Sequence, residues 1–386
     1  MTDVIVVGGG PAGLYSALLL AEEGFDVTVL EEHEALGAPT HCTGIVSDEL
    51  SELFKVPESM VLNRLGVCFV VSPSGRIFPF PSNGERIAVV DRRQFDEELG
   101  DAAQRAGVEI RTGFRVEWVR PEPGYVRVGT ANGASWDARA SIFACGVGYG
   151  LPRQLGFGLP SLFLHSAQVE VDATVASTAV ELHINGDLAP DGFAWLVPVL
   201  RDGSPRIKVG LMARGDAAAS LGQFLTYRRV ATRLAAEPEA PMRRLLPLGP
   251  LAKTYGHRVL AVGDAAGLTK PTTGGGIFYS LLSGFLAAET LTEALQKDQL
   301  GDAALGAYET RWRARLGPHL RISSYLRGLF TKLTPRDIDC LLEALMADEI
   351  QEVIRQTARF NWHGELIRSI LHQRGIKSLL FRALLR

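Results

Sequence analysis

The chain has 386 residues, with 40 basic and 43 acidic side chains and a net charge of −3. That length excludes a single small core and predicts two domains plus an appendage. The near-balanced charge gives no basis for a nucleic-acid partner.

Residues 4–7 read as a buried strand, and Gly8, Gly10 and Gly13 follow at GxGxxG spacing. A helix over 11–23 is predicted from Leu14, Ala17, Leu18 and Ala21 at helical intervals, ended by Gly24. A second strand over 26–30 then delivers Glu31, 18 residues after Gly13. In this strand–turn–helix–strand setting Gly8 permits the tight turn, Gly10 admits a pyrophosphate to the backbone, and Gly13 lets helix and strand pack closely. The helix amino terminus presents N–H groups and a positive dipole end to phosphate. An acid at Glu31 suits an adenosine ribose without a 2′-phosphate, so NAD or FAD rather than NADP.

A small, flexible stretch over 37–44 carries Cys42. A short helix is expected over 47–54, and a hairpin of 67–72 with 76–79 turns at Pro73-Ser74-Gly75. Val89-Val90-Asp91-Arg92 enters a helix ending near Gly107. Strands over 108–110, 114–119, 125–130 and 134–140 read as a meander, and 142–146 as a returning strand with a glycine turn. Between 151 and 250 alternating strands dominate (167–172, 179–184, 193–198 and 206–212), the mark of an inserted antiparallel sheet. A helix over 221–236 follows. Another apolar strand reaches Gly263-Asp264, and Pro271-Thr272-Thr273-Gly274-Gly275-Gly276 opens a long apolar helix to about 294.

The tail over 296–386 reads as helices, with Thr334-Pro335-Arg336-Asp337 as a capped start. A last helix over 376–386 sets Leu379, Leu380, Leu384 and Leu385 against Lys377, Arg382 and Arg386; it can touch a membrane surface or simply pack on its own domain. Two uncharged windows, 4–21 and 271–288, are long enough for membrane spans. Glycine clusters and proline interrupt both, and they read better as cofactor loops entering buried helices. With a strand predicted from residue 4, no signal peptide is expected. The four cysteines, Cys42, Cys68, Cys145 and Cys340, include no Cys-x-x-Cys pair, so no metal site and no disulfide framework is expected, and a reduced, cytoplasmic setting is.

Together the amino-terminal glycines and Glu31, the Arg92-x-x-Phe95-Asp96 helix and the late Gly263-Asp264 resemble the glutathione-reductase-like FAD fold of the hydroxylase type. Within it the chain looks like the FAD-dependent geranylgeranyl reductases, which saturate prenyl double bonds. The stretch from Gly263 to Ile277 is similar to that family's flavin-embracing loop, Pro190-Asp191-Gly192-Phe193-Ala194-Trp195-Leu196-Val197-Pro198 to its substrate-sheet motif, and Cys42 stands at its flavin-facing cysteine. The chain departs from the pattern at Cys42-Thr43-Gly44, which lacks an acid, and at Cys145-Gly146, where related hydroxylases have Asp-Gly.

The resemblance implies an α/β chain. A discontinuous Rossmann-like FAD domain covers 1–150 and 251–295, an antiparallel-sheet substrate domain 151–250, and a helical carboxy-terminal region 296–386. It implies FAD contacts at Gly8, Gly10, Ala12, Gly13, Glu31, Cys42, Thr43, Ile45, Arg92, Val116, Asp264, Gly276 and Ile277, and catalytic roles for Cys42 as proton donor and Trp195 as cavity wall. The substrate implied is a prenylated lipid, quinone or chlorophyll-like molecule. The electron donor stays open between a ferredoxin, a reduced deazaflavin and NAD(P)H. A flavin-dependent monooxygenase or halogenase is the rival reaction, and a flavin-binding protein without catalysis the third reading. His41 beside Cys42 is an alternative proton relay.

Overall fold

The computed structural model describes residues 1–82 and 84–384, the side chains of 382–384 excepted. Leu385 and Arg386 of the expected last helix lie outside the described residues. The chain forms two compact units, Met1–Thr40 with Asp91–Leu162 and Pro247–Pro318, and His41–Val90 with Phe163–Leu246 and His319–Arg386.

The first unit is built on an eight-stranded sheet. Its path runs Tyr255–Gly256, Val259–Ala261, Ser135–Phe143, Thr2–Val7, Val27–Leu30 and Glu109–Arg111. Thr2–Val7 lies at its centre because its last four residues are apolar and fully covered, as a strand with packed elements on both faces must be. Ser135–Phe143 does two jobs in one strand. Its first half pairs antiparallel with Val126–Thr130, and its second half pairs parallel with Thr2–Val7 and Val259–Ala261. The expected split into strands over 134–140 and 142–146 is therefore absent. Glu109–Arg111 likewise leaves the expected meander and pairs parallel with Val27–Leu30. Helices Pro11–Glu22, Arg92–Arg105, Ile277–Gln296 and Asp302–Arg315 cover this sheet.

The second unit has a seven-stranded sheet in the order Met242–Pro247, Phe163–Asp172, Ser204–Ala213, Phe193–Arg201, Ala179–His183, Val67–Val71 and Ile77–Pro81. One face carries the core of Ala167, Val169, Leu196, Val209 and Leu211, sealed by Leu221 and Phe224 from the Ala217–Thr226 helix. The expected 221–236 helix is shorter and breaks at Tyr227 before a single turn, Arg228–Ala231. A small sheet of Ile45–Ser47, Ile87–Val90 and Val61–Leu65 completes the unit's strands.

These units part the chain differently from the expected domains. The hairpin of Val67–Val71 and Ile77–Pro81 joins the inserted sheet because Val67 to Val71 pair in parallel with Ala179 to His183. The 296–386 tail divides. Tyr308 and Trp312 are buried in the first unit, the hydroxyl donating to the Ala261 carbonyl at 2.8 Å and the indole N–H to Thr254 Oγ1 at 2.8 Å. The helices after 318 lie in the second unit, where the Ser74 hydroxyl donates to Asp339 and the Phe360 N–H to Glu85, each at 2.9 Å. The Thr334 start is as expected, a capping box with Asp337 opening the Pro335–Leu345 helix. No helix among the described residues is long and apolar enough to cross a membrane.

Candidate functional site

In the first unit the glycine turn is shaped by close approach. Gly8 has φ +111, and a side chain there would meet the Ala144 carbonyl oxygen at 2.4 Å. A Cβ on Gly13 would lie 2.1 Å from the Gly8 carbonyl oxygen, so helix and strand touch backbone to backbone. Gly10 is the opposite case, with open space where a Cβ would project. It caps the Pro11–Glu22 helix without any side-chain hydrogen bond, and the first turn holds no acid. That end carries free N–H groups, the dipole's positive pole and room for an anion.

Glu31, at the end of the Val27–Leu30 strand, is 9 % exposed. Its two oxygens are already oriented. One accepts from the Gly9 N–H at 2.6 Å, and the other from the His33 N–H at 3.0 Å beside the His33 ring at 2.5 Å. The oxygen that accepts from Gly9 keeps a second lone pair, open to a hydroxyl donor. Phe114 donates its N–H to the Glu31 carbonyl at 2.8 Å, which brings Val116, two residues on, to the same end of the sheet.

A second helix start repeats the pattern. Gly276 caps Ile277–Gln296 with no side-chain bond and no acid in the first turn. A Cβ on Gly276 would lie 3.2 Å from Asp264 Oδ1, and one on Gly263 would lie 2.9 Å from Ala12 Cβ. Ala12, Asp264, Gly276 and Ile277 are thus gathered where two uncapped helices begin. Gly284, 2.9 Å from the Ala12 carbonyl oxygen at its would-be Cβ, lets those helices pack. Arg92 stands at the first turn of Arg92–Arg105, its guanidinium bidentate on Asp96 at 2.8 and 2.9 Å. The Arg92-x-x-Phe95-Asp96 spacing is therefore an i,i+4 ion pair that fixes the arginine's direction.

In the second unit Cys42, Thr43 and Ile45 lie on the segment leading into Ile45–Ser47. Gly44 has φ +82 and would place a Cβ 2.4 Å from the Val90 carbonyl oxygen, so only glycine fits after Thr43. The Thr43 hydroxyl donates to Gln168 Oε1 at 3.0 Å, and the Trp195 indole N–H donates to the same oxygen at 3.2 Å. Lys208, 3 % exposed, donates from Nζ to the Thr43 carbonyl at 2.9 Å. The register explains this meeting. Gly210 faces both Gln168 and Trp195 on its neighbouring strands, and Lys208 lies two residues away on the same face. Gly210 has no side chain, so the Trp195 ring lies across it to reach Gln168; a Cβ there would be 2.6 Å from the ring.

His41 is next to Cys42, and its buried Nε2 meets no hydrogen-bond partner among the described residues. Burial pushes its imidazole below the ordinary value, and the Arg244 charge adds to this against backbone hydrogen bonds. Burial also pushes the Cys68 and Cys145 thiols up, each to about 12, which suits inert packing groups. No group of three or more metal-ligating side chains exists among the described residues.

Of the expected site residues, Gly8, Gly10, Ala12, Gly13, Glu31, Arg92, Val116, Asp264, Gly276 and Ile277 belong to the first unit, and Cys42, Thr43, Ile45 and Trp195 to the second. Sequence reading missed Gln168 and Lys208. In an alternating strand each resembles a solvent-facing polar residue, and only the register shows them buried beside Trp195.

Comparison with known proteins identifies the chain. A digeranylgeranylglycerophospholipid reductase of Methanopyrus kandleri is 30 % identical over 373 residues, 92 % of each chain. The chain belongs to the digeranylgeranylglycerophospholipid reductase family. A reductase of the same name from Methanospirillum hungatei is 29 % identical over 89 % of each chain. Residues 3–65 also match the FAD dependent oxidoreductase family, so the cofactor of this reductase family member is FAD. Two uncapped helix starts, an open glycine and an oriented acid at a strand end fit that group. Among solved structures, a geranylgeranyl bacteriochlorophyll reductase-like protein of Thermoplasma acidophilum superposes with a TM-score of 0.84 over 98 % of both chains, at 20 % identity. A flavin-dependent brominase superposes with a TM-score of 0.73 over 99 % of this chain and 98 % of its own, at 15 % identity. These two share the fold.

Proposed function

We propose that the protein hydrogenates isolated carbon–carbon double bonds of a geranylgeranyl-type prenyl chain carried on a lipid, quinone or chlorophyll-like substrate. The observation that carries this reading is membership, over nearly the whole chain, in a family of lipid reductases. FAD, when bound and reduced, supplies the hydride. Gly10, Ala12 and Gly13 hold its pyrophosphate at the first helix start, Glu31 its adenosine ribose, and Val116 its adenine. Arg92 and Asp264 hold the linker, and Gly276 and Ile277 the ring edge.

The remaining work falls to the second unit. An unactivated alkene has no carbonyl to polarise, so positive charge grows on its more substituted carbon during reduction. The Trp195 face stabilises that charge by cation–π attraction, and Gln168 fixes the ring by taking its N–H. Cys42 gives the proton. Thr43, tied to Gln168 and Lys208, keeps the Cys42 segment in register with Trp195. His41, with its lowered basicity, is the alternative proton relay beside Cys42, a neutral ring that gives a proton from one nitrogen only as it takes one at the other. Electrons come from a ferredoxin, a reduced deazaflavin or NAD(P)H. The protein acts in the cytoplasm, touching the membrane peripherally.

The test is anaerobic incubation of the dithionite-reduced protein with prenyl lipids, read by mass spectrometry. Gains of two hydrogens per double bond support the reading. Halide-dependent products in air, with no such gain, establish the halogenase rival. Bound FAD without turnover on any prenyl substrate leaves a flavin-binding protein without catalysis.

A further inference from the structure

In the helical part of the second unit, Arg374–Leu384, the later half of Gly317–Phe330 and Leu371 near the end of His363–His372 line an open, shallow groove of about 640 Å³. Its lining mixes rings, aliphatic carbon and cations, among them Tyr325, Leu380, Phe381, Arg374, Lys377 and Ser378. Tyr325 and Phe381 are 58 % and 65 % exposed, the two aromatic rings above half exposure among the described residues.

The Arg374–Leu384 helix explains how cations and rings share one rim. Arg374, Lys377, Ser378 and Phe381 are spaced i, i+3, i+4 and i+7, so they form a single stripe. The same helix turns Ile376 and Leu380 inward, against Leu341, Ile350 and Ile354. The stripe is left facing outward by its own packing. Neither Arg374 nor Lys377 pairs with an acid among the described residues. Between 363 and 384 the chain has Arg368, Arg374, Lys377 and Arg382 against Glu365 alone, within a chain of net charge −3. A basic stripe with exposed rings, no acid among them, is the composition that binds an anionic interface.

We propose that this face docks on the surface of an anionic phospholipid bilayer, with phosphate headgroups against Arg374 and Lys377 and the rings of Tyr325 and Phe381 in the interfacial layer. The inference rests on the reading that the substrate is a lipid-borne prenyl chain. With no membrane-crossing helix among the described residues, such a contact is peripheral. A second copy is a poor occupant, because a two-fold contact through this stripe brings Arg374 and Lys377 against their own equivalents.

The experiment is co-sedimentation of the full chain with vesicles of phosphatidylglycerol and phosphatidylcholine in equal parts, and with phosphatidylcholine alone. Binding is expected to the first and not the second, and to fall steeply as salt rises to ~1 M, where charges are screened beyond about 3 Å. Arg374→Ala with Lys377→Ala is expected to weaken it roughly 30-fold, and Phe381→Ser to weaken it at every salt concentration. Equal binding to both vesicles overturns the proposal, as does a folded double variant that binds like the parent. So does a parent dimer, dissociated by the double variant, that ignores vesicles. Should the double variant fail to fold, the parent's salt and lipid dependence decides. Turnover of a short, water-soluble prenyl alcohol is measured alongside. Vesicle binding without turnover removes the reductase reading and leaves the docking face; turnover without charge-dependent vesicle binding does the reverse.

Discussion

Replacing Lys208 by Met tests whether the buried cation holds the Cys42 segment. Met keeps most of the aliphatic stem and removes the charged donor, so the apolar packing changes little. The variant loses the hydrogen bond of 2.9 Å from a 3 % exposed ammonium to the Thr43 carbonyl, and with it the lysine charge that helps hold the Glu170 carboxyl below its ordinary range. Bonds to charged groups contribute about 1.5–3 kcal/mol, and the desolvation of the lysine, relieved in the variant, offsets part of this for the whole protein. Global stability should therefore move by less than that. Local opening of the segment should feel the loss of this bond, since one of the two ties from Thr43 to the sheet disappears while its hydroxyl bond to Gln168 remains. At 1.4 kcal/mol per tenfold, the opening equilibrium rises roughly 10- to 150-fold. Hydrogen exchange of the Ile45–Ser47 amides, which sit in the ladder with Ile87–Val90, measures it directly. The expected result is faster exchange there and an unchanged rate in the Thr2–Val7 strand, with single-turnover reduction of a prenyl substrate slowed in parallel. Exchange at parent rates would refute the argument, and Lys208→Arg, which keeps a donor, should fall between the two.

Glu31→Ala removes the carboxylate that accepts from Gly9 and should weaken FAD binding by roughly 10- to 150-fold, read from the flavin absorbance of purified protein. Cys42→Ala should slow anaerobic flavin reoxidation by a prenyl lipid by ~10²–10⁴-fold while FAD content barely changes; a rate near the parent's would transfer the proton to His41 or another donor. Gly210→Ala forces a Cβ to within 2.6 Å of the Trp195 ring and should cost about 1–3 kcal/mol with a shift in tryptophan fluorescence. Gly222→Ala, in open space on the Ala217–Thr226 helix, should instead gain about 0.5–1 kcal/mol. Burial pushes the Glu181 carboxyl up, but hydrogen bonds from His183 and Arg229 and the charge of Arg233 outweigh it and hold it at about 2. A carboxyl depressed in the folded state stabilises above its unfolded value and loses that contribution as it protonates. On the order of 3 kcal/mol should therefore be present above about pH 4.5 and lost as pH falls towards 2. Urea midpoints of the parent and Glu181→Gln should converge over that range.

The glycine turn was legible in residues alone because its requirements are local. A strand, three glycines, a helix start and an acid at the next strand end lie within Thr2 to Glu31, and backbone sterics leave few other ways to join them. The capping box at Thr334 was legible for the same reason, since donor and acceptor are three residues apart. The kinship with prenyl reductases was also readable, from Trp195, Cys42 and the stretch of Gly263 to Ile277. Unit boundaries and the support of the site were decided by tertiary structure. Val67 to Val71 carry nothing that says they pair with Ala179 to His183 rather than with nearer strands, because strand pairing is a long-range choice made by the packing of whole faces. The tail divides at 318 because Tyr308 and Trp312 find buried partners in one unit, while later helices bond to Ser74 and Glu85 in the other. Gln168 and Lys208 are polar residues in alternating strands, a pattern that sequence reads as facing water. Only the register that puts both beside a glycine, under the Trp195 ring, turns them into the groups that hold Thr43.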